Sequence, residues 1–155
     1  MSAKARRELA AADPTMAALI ERLGEIDIAT RLRRRSEERP ADAYGALLRA
    51  IVGQQLSTKA ARTIYGRILE LFDGRTPPPE QLLEADESAL RGAGLSGRKV
   101  EYVRDLAAHV LSGELELDRL GELPDEEVVA EIVAVRGLGV WTAEMFLLFH
   151  LERPD

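Results

Sequence analysis

The 155-residue sequence contains no cysteine, and that absence removes several chemistries at once. Disulfides, thiolate zinc sites and iron–sulfur clusters are excluded. Only two histidines occur, His109 and His150, too few and too scattered for an imidazole metal site. No apolar run is long enough to cross a bilayer, so no membrane partner is expected. The N-terminus MSAKARRELAAAD is polar and alanine-rich, unlike a secretory leader, so a cytoplasmic location is expected. No stretch alternates in the β manner and no internal repeat is present. What remains is an all-α chain, most simply a monomer, of about seven or eight short helices.

The hydrophobic share of 46% fits a globular core. A net charge of −6 argues against a polyanionic partner, because the attraction to a nucleic-acid backbone is electrostatic. The charges are segregated, however. Acids concentrate in residues 80–87 and 114–131, and bases in residues 31–35, 59–67 and 98–99. Such a chain can present one basic face despite its total. The plainer account is a set of solvated helix faces.

Along the chain, residues 1–12 are expected as a flexible N-terminus and residues 13–155 as one helical domain. Asp13-Pro14 starts a helix that Gly24 stops, and residues 31–40 form a charged connector. Asp42 opens a helix with Tyr44, Leu47, Leu48, Ile51 and Val52 on one face. After Gly53-Gln54-Gln55-Leu56, Ser57 caps another helix reaching Phe72. Pro77-Pro78-Pro79 makes an extended loop, and two short helices follow, the second capped by Asp86. Ser96 caps a long helix over residues 97–111, and residues 112–124 read as a loop. The chain closes on EEVVAEIVAVRGLGVWTAEMFLLFHL, two helices joined by the turn Arg136-Gly137-Leu138-Gly139. The second helix is nearly all apolar and is expected to be largely buried.

That turn is the chemically informative stretch. Glycines flanking one apolar residue allow a tight bend and close approach by another backbone. The helix that follows begins with unpaired N–H groups at the positive end of its dipole, a natural seat for phosphate. An ordinary helical hairpin with a glycine cap is the plainer account.

Three segments occur together: ALLRAIVGQQLSTKAA at 46–61, GLSGRKVEYVRDLA at 94–107 and VRGLGVWTAEMF at 135–146. In this order and spacing they resemble the helix-hairpin-helix DNA glycosylases, specifically the 3-methyladenine DNA glycosylase II branch. The resemblance implies a monofunctional base excision repair enzyme acting on double-stranded DNA with alkylated bases. It would hydrolyse the N-glycosidic bond of a purine flipped out of the duplex. A non-catalytic DNA-binding module is the alternative, and a helical interaction protein a third. By the resemblance Gln55, with Leu56 beside it, is the wedge that fills the gap left by the flipped base. Gln54 and Gln55 simply closing a helix end is the plainer reading.

Trp141 and Met145, one turn apart, would line the base pocket, where an indole suits a cationic alkylated purine. A core tryptophan is the competing account. A strand-cleaving relative would carry a Schiff-base lysine at the position of Trp141, and tryptophan cannot form that adduct. The DNA backbone would lie against Ser57, Gly137, Leu138, Gly139 and Thr142. The carbonyls of Val133, Val135 and Leu138 stand where relatives hold a monovalent structural cation; no other cofactor is expected. The essential aspartate of such enzymes aligns just beyond Asp155, so residues 1–155 are expected to lack base release. Asp155 itself and Glu144, on another slope of its helix, are not assigned that role.

Overall fold

The computed structural model describes residues 3–24 and 42–153, which fall in two compact units, Met1–Arg39 and Pro40–Asp155. The charged connector at 31–40 lies outside the described residues.

In the first unit, the segment expected to be flexible forms a helix, α1 (Ala3–Ala12). Its composition accounts for this: it is alanine-rich, and neither glycine nor proline interrupts it. α2 (Pro14–Leu23) begins as expected, with the Asp13 carboxylate accepting from the Thr15 amide at 2.7 Å and Pro14 at the first helical position. Arg6 donates to the Gly24 carbonyl at 2.8 Å, tying the start of this hairpin to its end.

The second unit is also helical throughout its described residues: α3 (Ala43–Gly53), α4 (Thr58–Glu70), α5 (Pro79–Glu84), α6 (Glu87–Ala93), α7 (Gly97–Ser112), α8 (Asp125–Ala134) and α9 (Val140–Phe149). Asp42, Ser57, Asp86 and Ser96 cap their helices through the side chain, at the positions the sequence assigns. α3 is the central element. Leu47, Leu48, Ile51 and Val52 are fully buried, and α4, α7 and α9 pack around them. α5 lies on α7, and α8 pairs with α9. The connection between α7 and α8 is more than a surface loop, because Leu115 and Leu120 insert into the core. Arg153 then closes the domain by pairing with Asp125 and donating to the Gly121 carbonyl at 3.0 Å.

One expectation is corrected. α9 is not largely buried: Trp141 is 71% and Val140 52% exposed, whereas Thr142, Ala143, Phe146 and Leu147 face the core. The helix packs on α8 and α3 from one side, and its far side has no cover from the described residues of its own unit.

Candidate functional site

The turn between α8 and α9 is built from two glycines that do different work. Gly137 has φ +85°, a left-handed conformation that side chains rarely adopt. A Cβ there would stand 2.2 Å from Cδ2 of Tyr102, so the turn rests directly on that ring. Gly139 has an extended φ of −116°, and a Cβ built on it meets nothing within 4 Å. One glycine is required by the protein. The other leaves open space above the start of α9.

The amides in this region divide in the same way. Leu138 N–H donates to the Val135 carbonyl at 3.1 Å, and Thr142 N–H donates to the Gly139 carbonyl at 2.9 Å. Leu138 and Thr142 are also buried side chains, so both support the turn from within. The N–H groups of Gly137, Gly139, Val140 and Trp141 find no acceptor among the described residues. No side chain caps α9. Free donors at a helix N-terminus under an open surface can take an anion.

The turn between α3 and α4 lies against this one. Gln54 is the C-cap of α3, and its Nε2 crosses to donate to the Gly137 carbonyl at 2.6 Å. Gln55 is exposed and held at φ +57°, an uncommon conformation for a residue with a side chain. Leu56 is 39% exposed, and its amide closes the turn on the Gly53 carbonyl at 3.2 Å. Ser57 uses its hydroxyl to accept from the Ala60 amide at 3.3 Å, starting α4 directly after Leu56. Gln54 thus closes a helix end, as the plainer reading had it, while Gln55 projects from the surface.

α7 holds both turns, a role the sequence reading missed. Lys99 Nζ donates to the carbonyls of Val52 and Gln54 at 2.7 and 2.8 Å. Burial pushes its pKa below the usual lysine value. Tyr102 lies under Gly137. Asp105 accepts from the Arg136 amide at 2.8 Å, and Glu101 stands 3.5 Å from the Arg136 guanidinium. Lys99, Tyr102 and Asp105 repeat every third residue, a ridge along one helix side that was available as a signal. Lys99 is therefore spent on the protein interior, whereas Arg98 and Lys59 remain exposed as the basic clusters predict.

Trp141 sits in the first turn of α9 as an exposed ring rather than a core residue, and Met145 follows it half-buried. Among the described residues the two lie on an open apolar face. Glu144 is exposed. His150 stacks on Phe146 with ring centroids 4.7 Å apart, and burial lowers its pKa.

No group of three or more histidine or acidic side chains able to hold a metal occurs among the described residues. The carbonyls of Val133 and Leu138 accept no hydrogen bond there, and that of Val135 accepts only from Leu138, so lone pairs suited to a hard monovalent cation are available.

The helical fold has counterparts among known proteins. The chain is 34% identical over 116 residues to DNA-3-methyladenine glycosylase 1 of Schizosaccharomyces pombe, matching 74% of this chain and 51% of that protein. It thus spans about half the length of that curated relative. A crystal structure of a DNA-3-methyladenine glycosidase from Bacillus halodurans superposes with a TM-score of 0.71 at 44% identity, over 76% of this chain and 54% of that one. The Schizosaccharomyces pombe 3-methyladenine DNA glycosylase in complex with abasic DNA gives 0.76 at 29% identity, over 98% of this chain and 72% of that one. Residues 48–150 match the family described as HhH-GPD superfamily base excision DNA repair protein, and this span runs from the buried face of α3 to the end of α9. The chain belongs to the HhH-GPD superfamily of base excision DNA repair proteins.

Proposed function

We propose that this chain forms the DNA-gripping helical part of a monofunctional glycosylase of the 3-methyladenine II type, removing alkylated purines from duplex DNA. The observation that carries the proposal is the junction of two turns: a row of free amides at Gly139, Val140 and Trp141, and the wedge turn fastened to it through Gln54 and Gly137. Phosphate held on the amides fixes the strand. Gln55 and Leu56 then enter the gap left by the extruded base, the amide replacing hydrogen bonds and the leucine stacking.

Trp141 offers the flipped base an indole face already turned outward. A cationic N-alkylated purine is attracted to that face more strongly than a neutral purine. Met145 keeps the adjoining surface apolar and polarizable. Trp141 cannot form an imine, so the nucleophile is water and the product an abasic site in an intact strand. The carboxylate that stabilises the positively charged sugar belongs, by the resemblance, to the loop after α9 and follows Asp155. The carbonyls of Val133, Val135 and Leu138 would hold a monovalent cation that stiffens the turn electrostatically.

The test is release of 3-methyladenine from alkylated duplex by the whole protein, leaving a site cleaved only by alkali. Trp141→Ala is expected to weaken binding of the alkylated duplex by about 1–3 kcal/mol, the worth of one stacked base. Strand cleavage without alkali would contradict the monofunctional assignment. Absence of both base release and preference for alkylated duplex would contradict the reading as a whole.

A further inference from the structure

We propose that Lys99 is a positioning residue for the wedge: it anchors the end of α3 so that Gln55 is presented outward and Gln54 locks the wedge turn to the phosphate seat. The inference rests on the proposed function of Gln55 and adds the device that places it.

A helix ends with carbonyls that lack intrahelical partners. At the end of α3, Lys99 supplies donors to two of them, Val52 and Gln54, at 2.7 and 2.8 Å. A cation there also complements the negative end of the helix dipole. With its carbonyl fixed, Gln54 adopts φ −54° and ψ 131°, which turns the chain out of the helix. Its side chain is then free to reach the Gly137 carbonyl at 2.6 Å. The next residue, Gln55, is forced to φ +57°. A glutamine reverts to negative φ unless its neighbours are held, and reversal would swing the side chain away from its outward course. Lys99 and the Gln54 side-chain amide add to the Gln54 N–H bond to the Ile51 carbonyl in fastening the residue preceding Gln55. With Nζ donating to two backbone carbonyls, a surface phosphate contact is a poor description of Lys99.

Lys99→Met and Lys99→Arg, made in the full chain, separate these roles. Each is titrated with a duplex carrying a tetrahydrofuran abasic analogue and with the intact duplex, over a salt series. Lys99→Met is expected to lower the preference for the abasic duplex by about tenfold, as a loosened site does. The salt slope should stay that of the parent, and Lys99→Arg should restore most of the preference. An equal loss on both duplexes with a shallower salt slope would identify a phosphate contact and overturn the proposal. An unchanged preference would overturn it as well. If Lys99→Met fails to fold, Gln54→Met removes only the lock to Gly137 and must lower the same preference; retention of the preference would again be contrary. A parent chain with no abasic preference would instead refute the wedge reading on which the proposal stands.

Discussion

Gly137→Ala is expected to lower the free energy of unfolding by about 2–5 kcal/mol, read as a shifted midpoint in urea denaturation. Two costs add. A residue with a Cβ in the left-handed region costs roughly 1–2 kcal/mol. The same Cβ would stand 2.2 Å from Cδ2 and 2.4 Å from Cγ of the Tyr102 ring, which must move although α7 fixes it. Overpacking of this kind costs about 1–3 kcal/mol. The two costs separate in a double-mutant cycle with Tyr102→Ala. In that background only the conformational part, about 1–2 kcal/mol, should remain. A Gly137→Ala variant within about 0.5 kcal/mol of the parent would contradict the turn geometry.

Gly139→Val should give the opposite pattern: little change in stability and a large loss of DNA affinity. The backbone at Gly139 is extended, which valine adopts readily, and the space around its Cβ position is empty. Stability is therefore expected to stay within about 0.5 kcal/mol. The added methyl groups would occupy the surface onto which the amides of Gly139 and Val140 open. Hydrogen bonds to a charged partner contribute about 1.5–3 kcal/mol each, so losing one or two costs roughly 1.5–6 kcal/mol of binding. The loss should fall on all duplexes alike, because phosphate contacts carry no sequence information. Unchanged affinity at low salt would remove this turn from the interface.

The contrast between these glycines shows where sequence reading stops. Both are visible as a GxG turn before an apolar helix. That one is demanded by a tyrosine on α7 and the other left open depends on packing between segments distant in the chain. Local chemistry was legible. Asp13, Asp42, Ser57, Asp86 and Ser96 each cap the helix assigned to them, since a cap is decided within one turn. The α1 helix was legible in principle through its alanines, but its position at the terminus favoured a flexible reading. The exposure of Trp141 was not legible, because nothing in an apolar helix says which side will lack a partner. The ridge of Lys99, Tyr102 and Asp105 carries its spacing in the sequence. Its meaning comes only from the backbone groups of Gln54, Arg136 and Gly137 brought against it by the fold.

The central claim is that the α8–α9 turn and the wedge turn form one DNA-binding surface. It is tested most directly by following backbone amide resonances while the chain is titrated with a duplex carrying an abasic analogue. The account predicts the largest shifts at Gly139, Val140 and Trp141, whose N–H groups have no acceptor among the described residues, and at Gln55 and Leu56, whose exposed side chains enter the gap. Leu138 and Thr142, whose amides are already engaged, should shift less. Shifts confined to α1 and α2, or saturable binding that leaves these five amides unmoved, would contradict it.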